Sequence, residues 1–366
     1  MTYRSSVLQS MTVNEAKERQ FALVDTISRH FSGEEMLEMG DVGVHPLVKR
    51  PRRTAKVEAV LADVFGTEAA ALVRGAGTGA IRQLLAALLE PGDAMFVHRA
   101  PMYTTTKETV RSLSLTPIVV DYNDLAAVEE ALRCHPEGKL FYVQHARQQP
   151  TDTYDLGEVI RRVKTVAPDL PIVVDDNYCV FKVPQSGVEL GADYATFSAF
   201  KLLGPEGIGV IVGKQAAIDV VRGRNYSGGS QVQGPEATEV LRALTLAPVT
   251  LAVQNEQVER LCELLNEGVP GIKTAYVTNS QSKNVIVELE APVAKKVIAA
   301  SEALGAVVYP VGAESRYEVL PMIYRVSGSF LESRPELSEY GLRINPMKAG
   351  ADTVLRILRD AIARVT

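Results

Sequence analysis

From residue 69 onward, short apolar runs alternate with amphipathic stretches, and this alternation constrains the chain more than any other feature of its sequence. AAALV (69–73) reads as a strand, IRQLLAALLE (81–90) as a helix, AMFV (94–97) as a strand after the turn PGD, and TTTKETVRSL (104–113) as a helix. LTPIVVDY (115–122) contains a strand. NDLAAVEEALRC (123–134) reads as a helix capped by Asn123, KLFYVQ (139–144) as a strand, and DLGEVIRRVKTV (155–166) as a helix capped by Asp155. PIVVDD (171–176), YATFS (194–198) and GIGVIVG (207–213) read as further strands. Repeated strand–helix alternation predicts an α/β fold, a mostly parallel sheet flanked by helices on both faces, because each amphipathic helix must bury its apolar stripe against the sheet.

The flanking regions read differently. Thr12 and Glu15 form a capping-box pattern ahead of the helical stretch FALVDTISRHF, and a loop holding Gly40, Gly43, Pro46 and Pro51 precedes a helix over Thr54 to Phe65. A long helical pattern runs from about Pro235 to Leu265. VIVELE, AVVYPV and a last helix, TVLRILRDAIARV, then read as a small α+β domain. A chain of 366 residues exceeds what one core usually organises. The expected divisions are an N-terminal helical segment (1–66), a large domain (67–265) and a small C-terminal domain (266–366).

Charge and composition exclude several classes. The net charge of -5 gives no reason to expect nucleic acid or an anionic membrane surface as partner. No apolar run approaches the roughly 20 residues of a spanning helix, and the N-terminus lacks the apolar core of a secretory signal. Cys134, Cys179 and Cys262 are widely spaced, with no CxxC, so neither a disulfide framework nor a zinc site is expected, and a reducing cytoplasm is the expected home. The five histidines have no metal-ligand spacing, although His98 and His145 fall near strand ends.

Four features fall where open α/β sheets bind ligands, beyond the carboxyl ends of strands. RGAGTGAIRQ (74–83) follows a strand and opens a helix, so its amides can face an anion such as a phosphate; taken alone, such a turn can equally bind nothing. Asp175 ends PIVVDD, and a carboxylate at a buried strand end needs a cation or donor, for which a protonated pyridine nitrogen would serve. Asp176 beside it is a rival, and a turn or cap aspartate is the plainer reading of either. Lys201 in ATFSAFKLLGPEGIG follows a strand inside an apolar run. Most lysines are solvated surface charges, but one in apolar surroundings loses proton affinity and becomes nucleophilic toward an aldehyde. Ser198 stands three residues before it, and Tyr103 in HRAPMYTTTK, after the strand AMFV, can cover a flat ring.

The order of these features is itself informative: a Gly-rich turn, an aromatic, a strand-end Asp, then a Lys 26 positions on. It resembles the fold-type I pyridoxal 5′-phosphate (PLP) enzymes, with the aspartate-aminotransferase fold. FSAFK is similar to the S-x-x-K signature of the cysteine/methionine-metabolism group, and YSGGSQVQGPEATEVLRALTLAP (226–248) to that group's stretch after the lysine. VQHARQQP, GAGTGAIR and FKLLGPEGIG together look like the YhfS-type aminotransferase-like proteins. The resemblance implies that Lys201 holds PLP as a Schiff base and then moves a proton, that Asp175 pairs with the ring nitrogen, that Tyr103 stacks on the ring, and that Gly77, Thr78 and Ser198 hold the phosphate. It implies that Arg343 in YGLRINP grips the substrate α-carboxylate, with Arg325 in IYRVSG as rival, and that the chain forms a homodimer in which residues 226–230 reach the neighbouring site. Departures are plain. Gln149-Pro150 replaces Asn-Pro, so either Gln149 or Tyr178 would meet the ring hydroxyl; Phe200 replaces a hydroxyl residue before the lysine; no Trp is present.

The leading expectation is an aminotransferase acting on an amino acid. The alternative is a carbon–sulfur lyase working by β/γ elimination. A non-catalytic phosphate- or nucleotide-binding protein, or a scaffold, would have no need of Lys201 paired with Asp175. RYEVLPMIYRVSGSF (316–330) is expected to form a loop over the substrate.

Overall fold

The computed structural model describes residues 6–147, 149, 151–227, 229–278, 283–309, 315–326, 331 and 334–365. The chain forms two compact units, a larger one of Lys17–Ala146 and Thr153–Pro248, and a smaller one of Met1–Ala16, Arg147–Asp152 and Val249–Thr366.

The larger unit is built on a seven-stranded sheet. Its strands are β1 (Ala69–Arg74), β2 (Ala94–His98), β3 (Thr116–Val120), β4 (Gly138–Gln144), β5 (Ile172–Asp175), β6 (Tyr194–Ser198) and β7 (Ile208–Gly213). They lie in the order β1-β7-β6-β5-β4-β2-β3. The pairs within β2 to β6 are parallel, and β7 runs antiparallel to both β1 and β6. The reversal has a simple cause. Only a short 3-10 turn (Ala199–Leu202) and a few loop residues join β6 to β7, and a parallel crossover needs a dozen residues or more.

Helices α1 (Val13–His30), α2 (Gly33–Leu37), α3 (Arg52–Phe65), α4 (Ala76–Leu88), α5 (Thr104–Ser112), α6 (Leu125–Cys134), α7 (Leu156–Val166), α8 (Gln215–Arg224) and α9 (Gly234–Asn266) complete this part of the chain. The division between the units falls at Pro248 inside α9, where the ring removes one backbone donor. Alternation along the strands decides which helices each side chain meets. Met95, Val97, Leu140, Tyr142, Val173 and Tyr194 pack with Ile81, Leu84 and Leu85 of α4 and Ile218 of α8. Their neighbours in sequence, Phe96, Phe141, Val143, Ile172 and Val174, pack instead with Val128 of α6 and Val159, Ile160 and Val163 of α7.

Capping follows side-chain chemistry, with one correction. Thr12 and Glu15 form their reciprocal box: the Glu15 amide donates to Thr12 Oγ1 at 3.2 Å and the Thr12 amide to Glu15 Oε2 at 2.7 Å. Asp155 accepts the Glu158 amide at 2.8 Å. Helix α6, however, is capped by Asp124, which accepts the amides of Ala126 and Ala127, not by Asn123. Asn123 lies one residue too early to reach the free amides of the first turn, and its Oδ1 accepts the amides of Thr153 and Tyr154 instead.

The smaller unit carries an antiparallel sheet of β8 (Ile272–Thr278), β9 (Asn284–Leu289), β10 (Met322–Arg325) and β11 (Gly341–Asn345), in the order β10-β11-β9-β8. Helices α10 (Ala294–Glu302), α11 (Leu337–Tyr340) and α12 (Ala351–Ala363) accompany it. Val285, Val287, Val297, Leu342, Ile344, Val354 and Leu358 form its core. The loop expected over 316–330 is corrected here: Met322–Arg325 pairs with β11, because Ile323 joins the core of the unit while Met322 and Tyr324 pack in a separate cluster with Met347, and Arg325 is left in solvent. Residues 327–330 lie outside the described residues. Of AVVYPV, Val307 makes a single bridge to Met322, and residues 310–311 lie outside the described residues. Among the described residues, no helix is long and apolar enough to cross a membrane and no three His, Cys, Asp or Glu side chains gather as metal ligands.

Replacing Asp124 by Ala leaves two first-turn amides of α6 unbonded. The variant is expected to lose about 1 kcal/mol, seen as a lower urea midpoint for the far-ultraviolet circular dichroism signal.

Candidate cofactor site

Strand parity places Tyr142, Asp175 and Ser198 on the α4 face of the larger sheet, since Leu140, Val173 and Tyr194 already lie there. Gln144 pairs with Asp175 across β4 and β5, so Tyr142 sits one pleat behind the aspartate. Its hydroxyl donates to Asp175 Oδ2 at 3.1 Å. Just past β5, Asn177 donates twice to Asp175 Oδ1, from Nδ2 at 2.7 Å and from its backbone amide at 3.0 Å. The Oδ1 of Asn177 in turn accepts the Ser198 amide at 3.1 Å. Asn177 also abuts the Gly-rich turn: a Cβ on Gly77 would lie 2.6 Å from its side-chain amide. Asn177 and Tyr142 are the residues that reading the sequence missed. Asn177 is visible only as the polar residue after a strand-end aspartate pair, and Tyr142 carries no local signal, because its partner lies on a neighbouring strand.

The two aspartates separate cleanly. Asp176 accepts the Gly187 amide at 2.7 Å and lies 2.6 Å from Nδ1 of the buried His145. Asp175, 5% exposed, shares the electrostatic environment of Lys201. Burial raises the Asp175 carboxyl above its usual range, and the Lys201 charge, Asn177 and Tyr142 oppose that rise without cancelling it. A buried carboxylate in this state gains from a further cation.

Lys201 stands in the 3-10 turn after β6, which Leu203 closes in a left-handed conformation (φ 63°). It keeps a strip of solvent access, yet protein surrounds most of its amine. That burial pulls it down to about 8, against the opposing pull of Asp175 and Cys179. Its Nζ lies 3.6 Å from the centre of the Tyr178 ring. Tyr178 itself has φ 69°, a conformation that costs a residue with a Cβ about 1–3 kcal/mol and that surrounding structure must hold in place.

The Gly-rich turn is spoken for at its start and open just beyond. Gly75, with φ 97°, precedes α4, and the amides of Gly75 and Ala76 both donate to the Gly207 carbonyl, at 2.8 and 3.0 Å. The amides of Gly77 and Thr78 follow in the first turn, where a helix offers no internal acceptor and an anion is favoured. Thr78 Oγ1 lies 2.9 Å from Thr105 Oγ1, which ties this turn to α5. Tyr103, directly before α5, is 39% exposed.

Thus Gly77, Thr78, Tyr103, Asp175, Tyr178, Ser198 and Lys201 all belong to the larger unit. Gln149 and Arg343 belong to the smaller one. The Gln149 amide donates to Asp152 Oδ2 at 3.1 Å. Arg343, on β11, is 1% exposed and lies 5.9 Å from the Tyr324 ring, whereas Arg325 is exposed. The residues of the larger unit fit a phosphorylated pyridine aldehyde: an amine with lowered proton affinity for the aldehyde, a buried carboxylate short of a cation for the ring nitrogen, and first-turn amides for the phosphate.

This sheet, with that lysine and carboxylate at its strand ends, defines the chain as a fold-type I PLP enzyme. Residues 48–291 match the family of Cys/Met metabolism PLP-dependent enzymes, and the chain belongs to that family. Residues 259–358 match the YhfS-like C-terminal domain. The protein YhfS of Escherichia coli (strain K12) is 51% identical over 360 residues, covering 98% of this chain and 99% of YhfS. A crystal structure of YhfS from Escherichia coli, described as pyridoxal-5′-phosphate dependent, superposes with a TM-score of 0.96 at 50% identity over 99% of both chains. L-methionine gamma-lyase of Pseudomonas putida is 31% identical over 173 residues, 45% of this chain and 42% of the lyase. Cystathionine gamma synthase of Xanthomonas oryzae pv. oryzae shares the fold, with a TM-score of 0.68 at 19% identity over 86% of both chains. PLP is therefore the cofactor.

At pH 7 an amine of pKa about 8 is neutral in roughly one molecule in ten, against about one in three thousand for an ordinary lysine. Capture of PLP by the apoprotein, followed by borohydride reduction and peptide mass spectrometry, is expected to rise with pH through a midpoint near 8 at Lys201. A midpoint near that of a free lysine would contradict this account. Gly77→Ala is expected to weaken PLP binding at least tenfold in equilibrium dialysis, since the methyl group displaces Asn177.

Proposed function

We propose that this enzyme is a carbon–sulfur lyase, cleaving a sulfur-containing amino acid by β or γ elimination. The observation that carries this reading is the family match over residues 48–291, which spans Tyr103, Asp175, Ser198 and Lys201 together. The partial likeness to L-methionine gamma-lyase falls in with it. Transamination, the leading expectation from the sequence, has no comparable support.

Bound PLP supplies an aldehyde and an electron-withdrawing ring. The protein's part is to place and move protons. The Asp175 carboxylate, fixed by Asn177 and Tyr142, keeps a negative charge where the ring nitrogen must stay protonated. The Lys201 amine would serve as general base for the Cα proton, with a pKa close enough to neutrality to act both ways. Gly77, Thr78 and Ser198 would hold the phosphate and Tyr103 would cover the ring, and Tyr178 is favoured over Gln149 for the ring hydroxyl because it lies beside Lys201. Arg343 is assigned the substrate α-carboxylate. A guanidinium suits that group bidentately, and this one is kept buried. The active form is taken to be a homodimer.

Holoenzyme incubated with cysteine, cystathionine and methionine in turn is expected to release, from at least one of them, equal amounts of keto acid, ammonia and the sulfur leaving group, which is hydrogen sulfide from cysteine and a thiol from the other two. Lys201→Ala is expected to lower that rate roughly 10²–10⁴-fold and to abolish the borohydride-reducible visible band. Keto acid formed without release of ammonia or of the sulfur leaving group, with the amine form of the cofactor accumulating, would replace elimination by transamination.

A further inference from the structure

A second lysine belongs to this site, and nothing in the chemistry above uses it. Lys182 follows β5 by seven positions, in the loop that also carries Tyr178, and is 3% exposed. Its Nζ lies 5.4 Å from the centre of the Tyr178 ring, the same ring over which Lys201 Nζ sits at 3.6 Å. The two distances add to 9.0 Å, so the two nitrogens lie no farther apart than that. The loop that carries Tyr178 and Lys182 is held in unfavourable backbone geometry. Tyr178 and Phe181 both have positive φ, 69° and 59°. Phe181 stacks on Phe65 at 5.8 Å, with the Arg19 guanidinium 5.7 Å from its ring, and the Lys182 amide donates to the Cys179 carbonyl at 2.9 Å. Strain kept in a loop by packing on both sides is a mark of a working element.

We infer that Lys182 is a positioning residue that acts through Lys201: its buried ammonium, sharing the Tyr178 ring with the cofactor lysine, sets how readily Lys201 gives up its proton. This rests on the reading that Lys201 holds PLP. Several groups face the two amines. Asp175 and Cys179 act on Lys201, Cys179 acts on Lys182, and each lysine meets the Tyr178 ring. Burial brings Lys182 down to about 7, and Lys201 adds to that lowering. The coupling is mutual. Two like charges within this distance, in surroundings of effective dielectric about 20, shift one another by on the order of one pKa unit. Below neutrality Lys182 is charged and presses the proton off Lys201; as pH rises through its own midpoint, that pressure is lost.

The test is a pH titration of the visible band of the holoenzyme. In Lys182→Met the midpoint is expected to rise, by up to about one unit, while Lys182→Arg, whose charge persists where that of Lys182 is lost, is expected to bring it to or below the wild-type value. A purely structural role would lower the melting temperature of either variant without moving the midpoint. A band present in Lys182→Met with an unchanged midpoint overturns the inference. Should that variant not fold, the wild-type apoprotein decides. After reductive methylation with 13C-formaldehyde, the Lys201 signal, assigned by its loss in Lys201→Arg, is expected to titrate in two steps, the lower coinciding with the Lys182 midpoint. A single step overturns the inference. If instead Lys201→Ala keeps the reducible band, the parent reading falls and this one with it.

Discussion

A carboxylate taken out of water at the end of a buried strand is the constraint around which the larger unit is arranged. Asp175 cannot be left there alone, because an unpaired buried charge costs several kcal/mol. Three donors converge on it: the hydroxyl of Tyr142 and both the side-chain and backbone amides of Asn177. Each comes from an element that also holds something else. Asn177 fixes the backbone of Ser198 and fills the space that Gly77 leaves open. Satisfying one carboxylate therefore registers β4, β5 and β6 against the first turn of α4.

The remaining charge balance points to the cofactor. Even with those donors and Lys201 nearby, burial leaves the Asp175 carboxyl raised, so the site gains when a protonated ring nitrogen arrives. The same burial that costs Asp175 lowers Lys201, which makes its amine available to an aldehyde at neutral pH. One physical cause, low solvent access at the strand ends, prepares both partners in opposite directions. Asp176, one residue on, points its chemistry elsewhere by bonding Gly187 and His145, and this separates two adjacent residues of identical type.

Much of the fold was legible because period and punctuation are local properties. The runs that read as β1, β2, β4, β5, β6 and β7 are short, apolar and bounded by turn residues, and the helices between them carry apolar stripes. Asp155 as a cap could be read directly. Asn123 against Asp124 could not, because both are good caps and only the first helical residue decides. β10 was not legible, since MIYR is a strand only when β11 lies beside it. The ladder partner of a four-residue strand is not written within it.

For the site, residue order along the chain already assigns residue types to strand ends: a lysine in an apolar run, an aspartate closing IVVD, glycines opening a helix. Those choices carry the cofactor class, because few chemistries need that amine, that carboxylate and that anion-binding turn in one order along a chain. Tertiary structure alone decided which groups meet. Tyr142 reaches Asp175 only across two paired strands, Asn177 reaches Gly77 only because the sheet brings β5 next to the start of α4, and Lys182 shares a ring with Lys201 only because a strained loop turns back. Contacts between positions distant in sequence depend on register and crossover, and these are set by the packing of the whole sheet rather than by any segment of it.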